Sequence, residues 1–163
     1  MSKVFCAVLL AFTLGSPASA IELGVGSGSS TSGRLMPALS AAVNFDSWAV
    51  TGSSTGVRTN VYYLSAYTLG LVKRWEVGRF WWADMTVGFG GGFAYSQYGY
   101  RNTTADPHDS KNDLTAGPIF QFRWKFLNPA YLGLDALFGL KYPQGVLALA
   151  LQDVVVFSIG ISL

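Results

Sequence analysis

The sequence predicts an all-β fold, namely a closed antiparallel up-and-down transmembrane β-barrel that we expect to have eight strands. Three observations predict it. The chain begins with an export segment; charged residues make up 12% and aromatic residues 15% of it; and segments of about ten residues alternate between large apolar and small or polar side chains. After the export segment no apolar run approaches the roughly twenty residues of a membrane-spanning helix. Since only helices and closed barrels satisfy every backbone group in lipid, a barrel is the structure that fits.

Residues 1–20 have the three parts of a secretory signal peptide. Lys3 supplies the positive charge, residues 4–14 the apolar run, and Ala18, Ser19 and Ala20 a cleavage site of the A-x-A type. We expect this segment to be removed, which leaves residues 21–163 as a single barrel domain. The one cysteine, Cys6, lies in the removed segment, so no disulfide is expected in the mature chain.

The clearest strand pattern covers residues 80–97. Its odd positions are mostly large and apolar, whereas its even positions are small, polar or acidic and include Asp84 and a run of alternate glycines. The large face suits lipid, and the small face suits a narrow interior. We expect the glycines at 88, 90 and 92 to keep the wall thin, either because the lumen is crowded or because a bulky neighbour such as Leu137 needs the room.

Similar alternation marks residues 21–28, 37–45, 61–73, 114–125, 132–140 and 154–163. Residues 46–60 and 141–153 are less clear and allow two ways of counting, both of which give eight strands. In the first, residues 37–50 form one strand, and Gln152 and Asp153 form a turn. In the second, Trp48 begins a short separate strand, and the last strand runs down from the loop at 141–152. We prefer the second count, because it places loop 96–113 opposite the termini and the turns at 74–79 and 126–130 beside them.

Charged residues on the inward faces support the same choice. They are Glu22, Asp84, Arg123, Lys125 and Asp135, and the second count gathers all of them at one end of the lumen. Buried charges are tolerated when they are paired. We favour a space-filling polar core over a gate whose ion pairs switch to let small solutes pass.

Aromatic residues flank the turns at the same end, and we expect an interfacial girdle of Trp75, Trp81, Trp82, Trp124 and Tyr131. With the signal peptide, the alternating segments and the final FSIGISL, they make the chain resemble the small eight-stranded outer-membrane barrels of Gram-negative bacteria, the OmpA/OmpX type. One departure is Leu163, where such barrels usually end in an aromatic residue.

The resemblance implies a location in the bacterial outer membrane, contact with outer-membrane lipids and lipopolysaccharide, and insertion by the outer-membrane assembly machinery. It implies a side-chain-filled lumen and a structural or surface-interaction role, with at most small-solute permeation. We expect a monomer without a cofactor. The formal net charge is only +2, one unit of which belongs to Lys3, so the composition gives no support for nucleic-acid binding.

Loop 96–113 holds the weak catalytic candidates His108, Ser110 and Asp113. A histidine base near a serine nucleophile and a carboxylate suits acyl transfer, and lipid A deacylases carry a His-x-Ser pair. In that family the pair lies on a lipid-facing strand rather than in a polar loop. We therefore favour a non-enzymatic role. A lipid A-modifying acyl hydrolase or transferase is the alternative, and a soluble periplasmic β-barrel protein is the second.

The same loop contains carboxylates and an imidazole at Asp106, His108, Asp109 and Asp113, which are ligand types that divalent ions accept. Because the pattern fixes no geometry, we expect no metal site there.

Overall fold

The computed structural model describes residues 20–29, 35–100, 111–127, 129–141 and 150–163. These residues form eight antiparallel strands that close into one barrel, each paired with the next and the last with the first. The strands are β1 (Ala20–Ser29), β2 (Leu35–Phe45), β3 (Trp48–Arg58), β4 (Tyr62–Phe80), β5 (Ala83–Tyr100), β6 (Lys111–Leu127), β7 (Ala130–Lys141) and β8 (Ala150–Ser162). The predicted fold class is confirmed. Within the described ranges, no helix is long and apolar enough to cross a membrane.

The second way of counting strands is the one observed. Asp46 and Ser47 form a turn, β3 is a separate strand, and β8 runs from Ala150 towards the C-terminus. Ile21 and Leu163 exchange two backbone hydrogen bonds of 2.8 Å, which places the start of β1 and the C-terminal residue, which we call the termini of the barrel, at the end that carries this turn. The end of β5 and the start of β6 lie at the opposite end. Short turns in such barrels face the periplasm and long loops the outside, so we call the end with the termini periplasmic.

Two predicted connections are shorter than expected. Residues 74–79, predicted as a turn, belong to β4, and Trp81 and Trp82 form the turn instead. The regular alternation of β4 ends at Glu76, because a bulge between Glu76 and Gly78 shifts the register there, with Gly78 at φ +127°. Loop 96–113 also loses residues to the sheet, since β5 continues to Tyr100 and β6 begins at Lys111.

The outward faces of the strands form an apolar belt. Its exposed side chains include Leu23, Val25, Leu69, Leu71, Phe89, Phe93, Phe120, Phe138, Phe157 and Ile159. Soluble proteins rarely expose a continuous apolar surface of this extent, whereas a barrel in lipid requires one. The belt therefore favours a membrane barrel over the soluble alternative.

Part of the interior is filled by a cluster that we call the apolar layer. It comprises Ala38, Ala49, Ala66, Val72, Ala94, Ile119, Leu137, Val154 and Val156, all buried. Ile119 occupies the space that Gly70 and Gly92 leave open, because a Cβ added to either glycine would clash with its Cδ1 atom. The prediction that glycines of β5 make room for a bulky neighbour thus holds for Gly92, but that neighbour is Ile119 rather than Leu137.

Candidate functional site: a polar layer across the lumen

Glu22 lies at the centre of the charged interior. Its side chain is fully buried and points into the lumen from β1. Arg74 donates hydrogen bonds to both carboxylate oxygens, at 2.8 Å from Nη1 and 3.0 Å from Nη2. Arg123 Nε donates to Oε2 at 3.0 Å. One carboxylate therefore joins guanidinium groups from β4 and β6.

Arg123 links this carboxylate to a second one. Its Nη2 donates to both oxygens of Asp135, at 2.9 and 3.0 Å, and its Nη1 donates to the backbone oxygen of Phe122 at 3.1 Å. The ring centroid of Tyr131 lies 5.3 Å from Cζ of Arg123, close enough for a cation–π contact. Hydrogen bonds and an aromatic face thus surround a guanidinium group that is 1% exposed.

Two amide side chains complete the network. Gln121 donates from Nε2 to Thr51 Oγ1 at 2.9 Å and to Asp135 Oδ1 at 2.5 Å, and its Oε1 accepts from Arg74 Nε at 2.9 Å. Asn44 donates to Glu22 at 3.3 Å and accepts a hydrogen bond from Arg74. We call this set the polar layer; it comprises Glu22, Asn44, Arg74, Gln121, Arg123 and Asp135.

The polar layer is balanced in charge, because it contains two carboxylates and two guanidinium groups. Paired and hydrogen-bonded charges of this kind are the form in which buried ions are tolerated. In β6 the layer lies on the periplasmic side of Ile119, and in β7 it lies on the periplasmic side of Leu137. The polar and apolar layers therefore follow one another along the lumen and fill it in series.

The structure brings together only part of the predicted charge cluster. Arg123 contacts both Glu22 and Asp135, and Lys125 lies at the edge, with Nζ 3.9 Å from Glu22 and a side chain that is 39% exposed. The prediction for Asp84 is wrong. Its side chain is 72% exposed and lies 3.7 Å from Arg79, because the β4–β5 hairpin carries it beyond the lumen.

The sequence prediction missed Arg74, which bonds Glu22, Asn44 and Gln121. It was assigned to the turn at 74–79. Arg74 is an even-numbered position of β4, like the inward residues Val72 and Ala66. This alternation could have placed it in the lumen, but only if β4 had been expected to continue past Lys73.

Of the predicted aromatic girdle, the four tryptophans lie at the periplasmic end of the barrel and Tyr131 lies inside it. Trp75, Trp81 and Trp82 are exposed at the periplasmic end, and the rings of Trp82 and Trp124 are 5.9 Å apart. The assignment of Tyr131 is wrong, since it is fully buried against Arg123. Its parity with Gly133 and Asp135 indicated an inward position, whereas the prediction relied on its nearness to a turn. Three further aromatics at this end are Trp48, Phe80 and Phe126.

The catalytic candidates His108 and Ser110 lie outside the described residues, as do Asp106 and Asp109 of the metal hypothesis. Asp113 lies in β6, opposite Ser96 in the register of the sheet. In the parts of the chain that the structure describes, no group of three metal-ligating histidine, cysteine or carboxylate side chains occurs.

Comparison with known proteins shows a similar fold with little sequence similarity. No protein-family model matches the chain, and neither does any curated protein. The N-terminal β-barrel domain of Pseudomonas aeruginosa OprF gives a TM-score of 0.60 at 10% identity, over 90% of this chain and 98% of that one. Neisserial surface protein A gives a TM-score of 0.51 at 10% identity, over 88% of this chain and 94% of that one. The outer-membrane protein OprG from Pseudomonas aeruginosa gives a TM-score of 0.51 at 10% identity, over 91% of this chain and 98% of that one. The chain has the fold of the small eight-stranded β-barrels of the bacterial outer membrane.

Proposed function

We propose that this protein is an integral outer-membrane barrel with a structural or surface-interaction role, whose filled lumen passes at most small solutes. The observation that carries the proposal is the pair of layers in the lumen. Glu22, Arg74, Arg123 and Asp135 bridge the periplasmic half, while Ile119 and Leu137 pack above them. An eight-stranded barrel is only wide enough for its own side chains, so this filling closes the axis.

The lengths of the connections support a role at the cell surface. At the end opposite the termini, the two longest stretches between strands are residues 101–110 and 142–149. Long connections held by a rigid barrel are where binding functions concentrate. In this proposal the barrel is a monomer, is inserted by the outer-membrane assembly machinery, and is surrounded by outer-membrane lipids and lipopolysaccharide.

Conductance in planar lipid bilayers tests the filled lumen. We expect the refolded wild-type protein to show no large, steady conductance, with a wide porin in the same bilayer as the positive control. Arg123→Ala leaves Glu22 paired with Arg74 and Asp135 bonded to Gln121, so we expect lower thermal stability without higher conductance. A large wild-type conductance would overturn the filled lumen, and a rise in Arg123→Ala alone would favour a gate.

The cellular role is tested by deletion and by replacing one loop. Cells without the protein should become more sensitive to detergents or should bind surfaces less well. A variant with residues 101–110 replaced by a short Gly-Ser turn should keep detergent resistance and lose surface binding if the long connections do the binding. Loss of detergent resistance in that variant, with the barrel still folded, would contradict a structural role carried by the barrel itself. Unchanged sensitivity and binding in the deletion strain would overturn both roles.

A further inference from the structure

We infer that the periplasmic part of the β4–β5 hairpin lies along the inner leaflet of the membrane and that Lys73 binds the phosphate of a phospholipid headgroup there. We call residues 75–84 the periplasmic hairpin. The inference rests on the proposed membrane location, and it assigns this hairpin a ligand of one chemical class.

The periplasmic hairpin extends beyond the barrel wall on the side of β3, while on the other side β5 stays paired with β6 as far as Asp84 opposite Lys125. On its own side β3 begins only at Trp48, which lies opposite Lys73. Just beyond this pair, Arg74 N donates a 2.7 Å hydrogen bond to Ser47 O in the turn between β2 and β3. From Trp75 to Phe80 all six residues are exposed, and β5 is their only strand partner among the described residues. In this part of the hairpin β4 is therefore an edge strand, whereas β5 is also paired with β6.

The hairpin has an apolar face and a charged face. Trp75 and Phe80 lie on the apolar face and are 45% and 56% exposed, and Trp82 packs against Trp124 of the outer wall. On the opposite face Arg79 and Asp84 face water, with side chains that are 68% and 72% exposed. The apolar face therefore continues the lipid-facing belt, and the charged face points away from it.

Trp81 at the tip strengthens this assignment. It is 77% exposed, its backbone has φ +58°, and its ring stacks on Phe80 with centroids 5.6 Å apart. A left-handed conformation is uncommon for a bulky residue, so another residue type would suit the turn better. Tryptophan is, however, the side chain that prefers the boundary between lipid and water.

Lys73 supplies the cation for a phosphate. It shares the outward face of β4 with Leu71 and Trp75, and its Nζ lies 5.8 Å from the centroid of the Trp75 ring. Trp48, its register partner, is 44% exposed. A lysine on a lipid-facing wall extends its ammonium group towards the headgroups. Two indole rings beside an ammonium group therefore fit the phosphate region of a phospholipid.

A protein strand added to the free edge of the hairpin is the competing occupant. The bulge at Gly78 and the charges of Glu76 and Arg79 oppose such pairing, because bulges and charges are the features that protect strand edges. The continuity of the apolar face with the lipid belt favours the membrane.

Fluorescence quenching tests the position of the hairpin. A variant that keeps only Trp81, with the other four tryptophans replaced by phenylalanine, is refolded into vesicles that contain brominated phospholipids. We expect strong quenching by lipids brominated near the headgroup and weak quenching by aqueous acrylamide. Strong acrylamide quenching without bromine quenching would overturn the inference and leave the protein-strand alternative. If the variant does not fold, the difference between wild type and Trp81→Phe gives the same comparison.

A separate reporter distinguishes failure of the inference from failure of the proposed membrane location. Phe89→Trp, placed at mid-wall in a tryptophan-free chain, should be quenched by lipids brominated deep in the acyl chains. If Phe89→Trp is quenched and Trp81 is not, only the inference is wrong. If neither is quenched, the membrane proposal fails.

Lipid retention tests the phosphate contact. Protein released from phospholipid nanodiscs is examined by native mass spectrometry for bound phospholipid. We expect Lys73→Gln to retain about fivefold less phospholipid than wild type, because one basic residue changes binding at an anionic lipid surface by about this factor. Arg79→Gln, on the opposite face of the same hairpin, is the matched control and should retain the wild-type amount. Equal loss in both variants, or no loss in Lys73→Gln, would overturn the phosphate site.

Discussion

Glu22 shows how the interior depends on single residues. Its carboxylate is fully buried and accepts hydrogen bonds from Arg74, Arg123 and Asn44. Removing one partner from a buried ion network costs more than the network contributes as a whole, because the remaining charges stay buried without compensation.

The substitution Glu22→Gln should therefore lower the free energy of unfolding by about 3–5 kcal/mol. It leaves two guanidinium groups facing an uncharged amide in the lumen. Urea titration in lipid vesicles, followed by tryptophan fluorescence, measures the change.

Asp84→Asn is the control for this prediction, because sequence analysis placed both acids in one cluster and only Glu22 is buried. We expect Asp84→Asn to change stability by less than about 0.5 kcal/mol, as for most surface substitutions. Similar losses in the two variants would show that the hairpin charge matters as much as the buried one.

The alternation of odd and even positions along each strand explains which single residues the sequence could place. Alternation was sufficient to place Glu22, Arg123 and Asp135 inside, since each lies within a regular segment. Arg74 lies just before the bulge at Glu76 and Gly78, where alternation no longer continues. Asp84 also lies at an inward position of the alternation, but β3 begins only at Trp48, opposite Lys73, and the side chain of Asp84 is 72% exposed.

Among the strands, β6 carries an unusual residue at its centre. Pro118 is paired with Gly91 of β5, but the pairing between β6 and β7 is interrupted at Gly117 and Pro118, between the pairs Ala116–Leu140 and Ile119–Leu137. Proline has no N–H, and a strand in a closed barrel has neighbours on both sides. In lipid no water replaces the missing donor, so the seam between β6 and β7 lacks one hydrogen bond at mid-height.

Pro118→Val should stabilise the barrel by about 0.5–1.5 kcal/mol, the net contribution of one hydrogen bond. It should also slow amide hydrogen exchange in β7 next to Phe138. Urea unfolding and exchange mass spectrometry measure the two effects.

Ala116→Val is the matched control for the valine itself. Ala116 lies on the same outward face of β6 and is already paired with Leu140. If both variants gain the same stability, lipid contact or β-propensity explains the gain and the missing donor does not.

The length of the β4–β5 hairpin was the element that sequence patterns described least well. The segment 74–79 contains charges and a glycine, which normally indicate a turn, yet pairing continues to Phe80 opposite Ala83. A bulge accommodates the change of period, and the turn forms at two tryptophans, residues that carry no turn signal.

For the whole molecule, composition and alternation predicted a narrow barrel, but they did not predict how its lumen is filled. Small residues on the inward faces imply that bulky ones lie opposite them. Which residue fills the gap depends on strand stagger, and Ile119 rather than Leu137 occupies the space beside Gly70 and Gly92. Packing across a closed lumen is therefore a property of the assembled barrel.

The two layers act in series, which leads to a prediction that concerns the whole barrel. Arg123→Ala removes one side chain of the polar layer only, and Ile119→Ala removes one of the apolar layer only, at a cost of about 2–5 kcal/mol for the lost packing. Neither single variant should conduct ions in planar bilayers, because the other layer still closes the lumen. The double variant should show a small, steady conductance, with heat-modifiable gel migration verifying that each barrel is folded. Conductance in Arg123→Ala alone would favour the gate, and conductance in Ile119→Ala alone would mean that the apolar layer by itself closes the lumen. A folded double variant without conductance would mean that neighbouring side chains collapse into the space.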